Sequence, residues 1–194
     1  MTGSVEADGN IQSLMNYSNS CTDYCYNNMF SGCTSLLTAP QLPATTIATE
    51  CYYNMFNGCT SLTAAPPKLP ATTMAYACYK GMFWNCTSLS TAPALPATGL
   101  ASECYALMFE GCTNLRNAPT IYGTTLIDYC CWRMFQNCTN LSSITVHFTG
   151  WVNNTTINWV NGVASNGTFT CPQGLTDTRG VNNIPTNWTK VDLT

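Results

Sequence analysis

A Met-Phe pair recurs at 29–30, 55–56, 82–83, 108–109 and 134–135, with spacings of 26, 27, 26 and 26 residues. A fixed period of this length means one structural unit copied along the chain. Each unit is too small to bury its own apolar face, so successive units must stack. The extra residue falls in the second linker, where Pro66-Pro67-Lys68-Leu69 stands in place of Pro40-Gln41-Leu42.

Within a unit the apolar residues follow a second, shorter pattern. Cys51, Met55, Phe56 and Cys59 lie at i, i+4, i+5 and i+8, the spacing of one face of a short helix. Gly32, Gly58 and Gly111, with Asn85 and Asn137 in the other copies, precede the second Cys, and both residue types tolerate the positive φ of a helix C-terminus. The spacing therefore predicts a helix of about two turns. Leu36, Leu62, Leu89, Leu115 or Leu141 comes next. Prolines such as Pro40, Pro66, Pro93 and Pro119 then limit the following segment to a short strand.

After Leu141 the pattern changes. Residues 143–148 alternate like a half-buried strand, 155–163 read as a short helix, and 167–172 and 187–191 read as strands. Trp151, Trp159 and Trp188 fall here, as expected of an aromatic-rich cap over the last repeat. Residues 1–20, with Ile11, Leu14 and Met15, read as a short strand or degenerate coil that shields the first repeat. The organisation expected is a lead-in over 1–20, five repeats over 21–142 and a capping module over 143–194. The fold class is an α/β repeat solenoid. It is a right-handed, leucine-rich-repeat-like stack of five coils, each a short helix plus a short strand, closed by a C-terminal mixed or β cap.

The motif carried by Phe56, Cys59, Leu62 and Pro66 resembles the BspA-like leucine-rich-repeat family of bacterial surface proteins. The Leu-Pro-Ala-Thr-Thr and Cys-Tyr segments are similar to repeats in surface proteins of Bacteroidales. The segments 158–163 and 184–188 are similar to the C-terminal module of those proteins. The resemblance implies display at a bacterial cell surface, with adhesion or protein binding as the activity. The alternative is a structural spacer, or a decoration protein on a phage of such bacteria. The family's longer members carry export signals and more repeats. Here the opening Met1-Thr2-Gly3-Ser4-Val5-Glu6 has neither a basic nor an apolar export region. We read the chain as a mature fragment with an added Met, part of a larger surface protein or assembly.

Charge excludes some function classes. Only 8% of residues are charged and the formal net charge is −3, so the six Lys and Arg residues make no basic patch for nucleic acid. No apolar run is long enough for a membrane-spanning helix. Ten of the 13 cysteines form two columns, Cys25, Cys51, Cys78, Cys104 and Cys130, and Cys33, Cys59, Cys86, Cys112 and Cys138. Across a helix the columns stand ~12 Å apart, too far for a disulfide. A buried ladder of thiols acting as small hydrophobes fits better, with within-repeat disulfides the alternative if the helix is broken. Cys21 shares the position of Ile47, Met74, Leu100 and Leu126 and reads as a core residue. Cys130 and Cys131 are adjacent, so one of them is expected to point outward.

No Cys-x-x-Cys pair occurs and His147 is the sole imidazole, so no metal, cofactor or Cys–His nucleophile is expected. Glu50 and Glu103 precede the first Cys, where Tyr24, Ala77 and Tyr129 also occur, and read as solvated surface. The chain is expected to bind rather than catalyse. In a stack the binding positions are those that vary between copies. The third motif residue is Asn27, Tyr53, Lys80, Ala106 or Trp132, and the residue after Phe is Ser31, Asn57, Trp84, Glu110 or Gln136. Tyr53, Trp84, Trp132, Lys80 and Arg116 are therefore the candidate binding surface for a protein or glycan. The column Tyr26, Tyr52, Tyr79 and Tyr105 reads as a structural spine.

Overall fold

A computed structural model describes residues 5–6, 9, 11, 14 and 18–194. It overturns the α/β leucine-rich-type architecture. No α-helix occurs among the described residues, and regular strand is confined to short segments. These are β1 (Val5–Glu6), β2 (Leu36–Thr38), β3 (Ser143–Thr145), β4 (Thr168–Cys171) and β5 (Thr189–Asp192). β1 pairs with β2, and β3, β4 and β5 form one sheet in that order, all in parallel.

The segment expected as a helix is a ribbon of consecutive β-turns. In the second repeat the N–H groups of Cys51, Tyr53, Met55, Asn57 and Cys59 each donate to the carbonyl three residues back. The N–H groups between them point sideways. Those of Glu50, Tyr52, Asn54, Phe56 and Gly58 donate to Tyr76, Cys78, Lys80, Met82 and Trp84 of the next repeat. Every second donor thus serves a local turn and the others tie one repeat to its neighbour. Glu50, Asn54 and Gly58 have φ of 49°, 53° and 72°. Each is the third residue of a turn, where a type II turn requires positive φ.

Three physical reasons favour this ribbon over a helix. A nine-residue helix is marginal alone, and its Asn, Cys and Tyr are mediocre helix formers. A helix also consumes its own N–H groups, leaving none to join neighbouring repeats. Moreover, a four-residue turn period places two consecutive residues inward and two outward. Cys51, Tyr52, Met55, Phe56 and Cys59 are all fully or almost fully buried, while Tyr53, Asn54, Asn57 and Gly58 are partly exposed. The i, i+4, i+5, i+8 pattern fits this period as well as it fits one helix face.

Laid side by side, the ribbons build ladders. Phe30, Phe56, Phe83, Phe109 and Phe135 stack at 5.5–5.8 Å between centroids, with rings within 9° of parallel. Tyr26, Tyr52, Tyr79 and Tyr105 form the parallel spine at 5.3–6.3 Å. Such pairs add about 0.5–1.5 kcal/mol each beyond the area they bury. On the far side of the repeat, isolated parallel bridges such as Thr38 to Ala64 and Ala64 to Thr91 hold the same register.

The ribbon occurs a sixth time, over 152–163, where a short helix is expected from sequence. Asn154, Asn158 and Gly162 carry its positive φ values, and the carbonyls of Thr155, Ile157, Trp159 and Asn161 accept from the fifth ribbon. Thr155 takes the place of the first Cys and Trp159 that of Met, so the motif is disguised. The segment after β4 then lies along this ribbon. Asn182 and Asn183 carbonyls accept from Thr156 Oγ1 and Trp159 Nε1, both at 2.8 Å. Ile144, Val146 and Phe148 are buried, in keeping with the alternation read over 143–148. At the other end Ile11 is buried and its carbonyl accepts from the Tyr26 hydroxyl, whereas Leu14 is exposed. Met15 lies outside the described residues.

All 13 cysteines are unpaired. Cys59, Cys86, Cys112 and Cys138 each donate S–H at 2.9–3.1 Å to the carbonyl of the Phe in the preceding repeat. That carbonyl also closes the last turn of its own ribbon. The thiol therefore adds a polar tie that an alanine would lack. Cys130 and Cys131 are both fully buried, with Sγ atoms 3.8 Å apart, contrary to the expectation that one points outward. They occupy the two consecutive inward positions of the ribbon. Cys33 in the first repeat is exposed, and Met29 is 43% exposed.

Three outcomes follow. Glu50→Gly relieves a strained left-handed residue worth about 1–2 kcal/mol, against a Gly entropy cost of about 0.5–1 kcal/mol, so unfolding free energy stays level or rises. Gly58→Ala loses about 1–2 kcal/mol through backbone strain alone, because its new Cβ meets only Gly32 backbone at 3.8 Å. Urea titration measures both, and a loss for Glu50→Gly of the size expected in a helix would count against the turn ribbon. Secondly, burial pushes the thiols of Cys59, Cys78 and Cys138 from 9.0 up to about 12. Their protons leave the unfolded chain first, so this stability is complete below pH 9 and falls as pH rises towards 12, by about 1.4 kcal/mol per pH unit for each thiol. A thiol reagent should label Cys33 fast in the native protein and all 13 cysteines after unfolding without reductant. Fewer labelled sites in unfolded protein would reveal disulfides.

Candidate functional site

The lateral bonds place the third motif residues in one row across consecutive repeats. Asn54 N donates to Lys80 O, Gly81 N to Ala106 O, and Leu107 N to Trp132 O. Tyr53, Lys80, Ala106 and Trp132 are therefore neighbours in sequence of repeat and in space. Ala106 is the decisive small residue. It leaves a gap across which Lys80 reaches, and the Lys80 ammonium lies 5.8 Å from the ring centroids of both Tyr53 and Trp132. Of the five candidates named from sequence, these three come together. Trp84 is half-buried in the adjacent row, next to Glu110, and Arg116 is exposed beside the Asn117–Ser143 bridge.

Three partners were not foreseen. Glu103 accepts from Lys80 Nζ at 2.5 Å through Oε2 and from the Tyr76 hydroxyl at 3.2 Å through Oε1. Tyr129 stands edge-on to Trp132, with centroids 6.3 Å apart and planes at 77°. Glu103 and Tyr129 occupy the positive-φ position before the first Cys, at 57° and 56°, and this conformation turns their side chains to the same outer face. Glu103 is thus one half of an ion pair and not a solitary solvated carboxylate. Lys80, Glu103, Tyr129 and Trp132 line an open pocket of about 260 Å³.

Partial burial alone would lower the Lys80 pKa, but the hydrogen bond and charge of Glu103, with smaller contributions from Tyr53 and Tyr76, raise it above the usual value. The charge of Glu103 likewise holds the Tyr76 hydroxyl above its ordinary range. In the next row Arg133 donates to Glu110 Oε1 at 2.5 Å and to Gln136 Oε1 at 3.0 Å, and its guanidinium lies 5.8 Å from the Trp132 centroid. Glu110 is 5% exposed, and its second carboxylate oxygen is buried without a partner.

Chemistry elsewhere on the chain is sparse. His147 is half-buried and stacks on Tyr122 at 4.9 Å. Among the described residues no group of three His, Cys, Asp or Glu side chains is placed to hold a metal, and no helix is long and apolar enough to cross a membrane. Comparison with protein-family models, curated proteins and solved structures gave no match.

Burial raises the Glu110 pKa above 4.5, and Arg133 offsets this only in part. A carboxyl whose folded pKa is raised binds its proton more tightly when folded. Its contribution is complete below about pH 4.5 and declines as pH rises through the folded value. Glu110→Gln should flatten the stability profile across that window, measured by chemical denaturation at closely spaced pH values. An unchanged slope would show that Glu110 is not its source.

Proposed function

We propose that the chain is a non-catalytic interaction module that presents the Tyr53–Lys80–Trp132 face to a protein or glycan partner outside the cell. One observation carries this reading. The inward motif residues are nearly invariant from copy to copy, whereas the third position changes freely, and two of its residues, Lys80 and Trp132, line one pocket with Tyr53 beside Lys80. A position that carries half-buried Tyr, Lys and Trp in three of its copies has the composition of an interface anchor. The resemblance of the repeat motif to BspA-like surface proteins supports display at a bacterial surface.

The face suits binding in two further ways. Its side chains stand on a backbone fixed by turn bonds on one axis and lateral bonds on the other, so little freedom is left to lose on association. Its aromatic rings are also braced by charged neighbours, Lys80 and Arg133 over Trp132, which keeps them from collapsing onto one another.

The test uses the labelled full chain on an array of immobilised glycans, mucin-type glycoproteins and extracellular-matrix proteins. Wild type should bind at least one class, and the Tyr53→Ala/Trp132→Ala double variant should lose about tenfold or more in affinity. Equal binding by both proteins, or none by wild type, overturns the reading. Lys68→Ala, at an exposed position outside the lining of the pocket, serves as the control and should bind like wild type.

A further inference from the structure

We infer that the pocket between Lys80, Glu103, Tyr129 and Trp132 takes a single neutral sugar ring at the end or edge of a glycan. This deepens the interaction-module reading and rests on it.

Shape comes first. Tyr129 and Trp132 meet at 77°, so two aromatic walls form a corner and the Lys80–Glu103 pair forms its floor. Tyr129 is 37% exposed, which leaves ring surface open to a ligand. A volume of about 260 Å³ is below that of a drug-sized site and suits one small ring. The apolar C–H face of a pyranose matches an aromatic wall, and its hydroxyl edge then meets the floor.

Hydrogen-bond capacity comes next. The Lys80 ammonium has three N–H donors, and one goes to Glu103. The Glu103 carboxylate has about four acceptor positions, and Lys80 and Tyr76 take two. A donor and an acceptor with spare capacity therefore stand side by side, 2.5 Å apart. Two neighbouring hydroxyls on a sugar ring demand this pairing, because each hydroxyl both accepts and donates. One hydroxyl accepts from Lys80 while the next donates to Glu103.

Charge decides the ligand class. Lys80 pairs with Glu103, and Arg133 with Glu110, while Glu50, close enough to act on Tyr76, lies outside both pairs and leaves the face with a surplus of negative charge. An anionic ligand would meet the charges of Glu103 and Glu50, and a cationic one would compete with Lys80 for Glu103. A neutral polyol faces neither obstacle. The rigidity of the floor also matters. Glu103 is held from two sides, by Lys80 and Tyr76, so its acceptor positions are set before any ligand arrives.

Ligand-observed NMR and calorimetry on the full chain test this with methyl glucopyranoside, methyl galactopyranoside and methyl mannopyranoside, together with sodium methyl glucopyranosiduronate, tetramethylammonium and a tripeptide capped at both ends. At least one neutral glycoside should bind with a dissociation constant on the order of 1 mM, as expected for so small a ligand. Lys80→Met and Tyr129→Gly should each weaken it about tenfold or more. Tyr129→Gly removes the wall at a positive-φ position where glycine is at ease, so folding is retained. A preference for glucuronate, tetramethylammonium or the tripeptide overturns the neutral-sugar assignment, as does glycoside binding that survives both variants. If the array shows patch-dependent protein binding while no glycoside binds, the sugar assignment falls and the interaction-module reading stands.

Discussion

The structure depends on one division of labour in the backbone. Alternate N–H groups of the ribbon close local turns, and the rest cross to the neighbouring repeat. A helix would have spent every donor internally, and a strand would have sent them all sideways. The ribbon does half of each. A single repeat is therefore left with five unsatisfied donors, as Glu50, Tyr52, Asn54, Phe56 and Gly58 would be without the third repeat. Buried donors without partners are costly, so the fold is cooperative across repeats from the backbone outward. The Phe and Tyr ladders follow from this register and do not create it.

That arrangement carries strain. Every fourth residue of a ribbon sits at positive φ, and several are ill suited to it: Ala77, Leu107 and Arg133 have φ of 48°, 59° and 54°. Each costs about 1–2 kcal/mol relative to glycine. They persist because lateral bonds on both sides and the buried Cys, Met and Phe columns over-determine the backbone there. The same strained positions place Glu103 and Tyr129 on the outer face. A conformational cost met by the core is thus what assembles the pocket.

The stacking of repeats was legible from the even spacing of the Met-Phe pairs, and the inward columns from the residues around them. The local structure was not. Pairs such as Cys51-Tyr52 and Met55-Phe56, four residues apart, satisfy a helical period and a four-residue turn period alike. The distinguishing signal was present at Asn28, Asn54 and Gly81, in the middle of the supposed helix and four residues before the Gly or Asn near its end. A helix disfavours those residue types there, whereas a turn ribbon asks for them. Comparing variable positions found Tyr53, Lys80 and Trp132, because one column holds all three. It missed Glu103, Tyr129 and Tyr76, since only the outward turn of a left-handed residue brings a second column into the pocket. The sixth ribbon escaped because Thr155 and Trp159 replace the residues that mark the other five.

Within the ribbons the lateral bonds run one way, from the N–H groups of each repeat to the carbonyls of the next, whereas on the far side Thr63 N donates back to Leu37 O and Ser90 N back to Thr63 O. The ribbon face consequently has a direction, like a row of arrows. On the outer side of the first ribbon the carbonyls equivalent to Cys51, Tyr53 and Met55 are those of Cys25, Asn27 and Met29, and among the described residues no N–H group donates to them. Two such ends brought face to face would set oxygen against oxygen. The polarity that joins the ribbons therefore also keeps an edge of this kind from bonding to a copy of itself through the backbone.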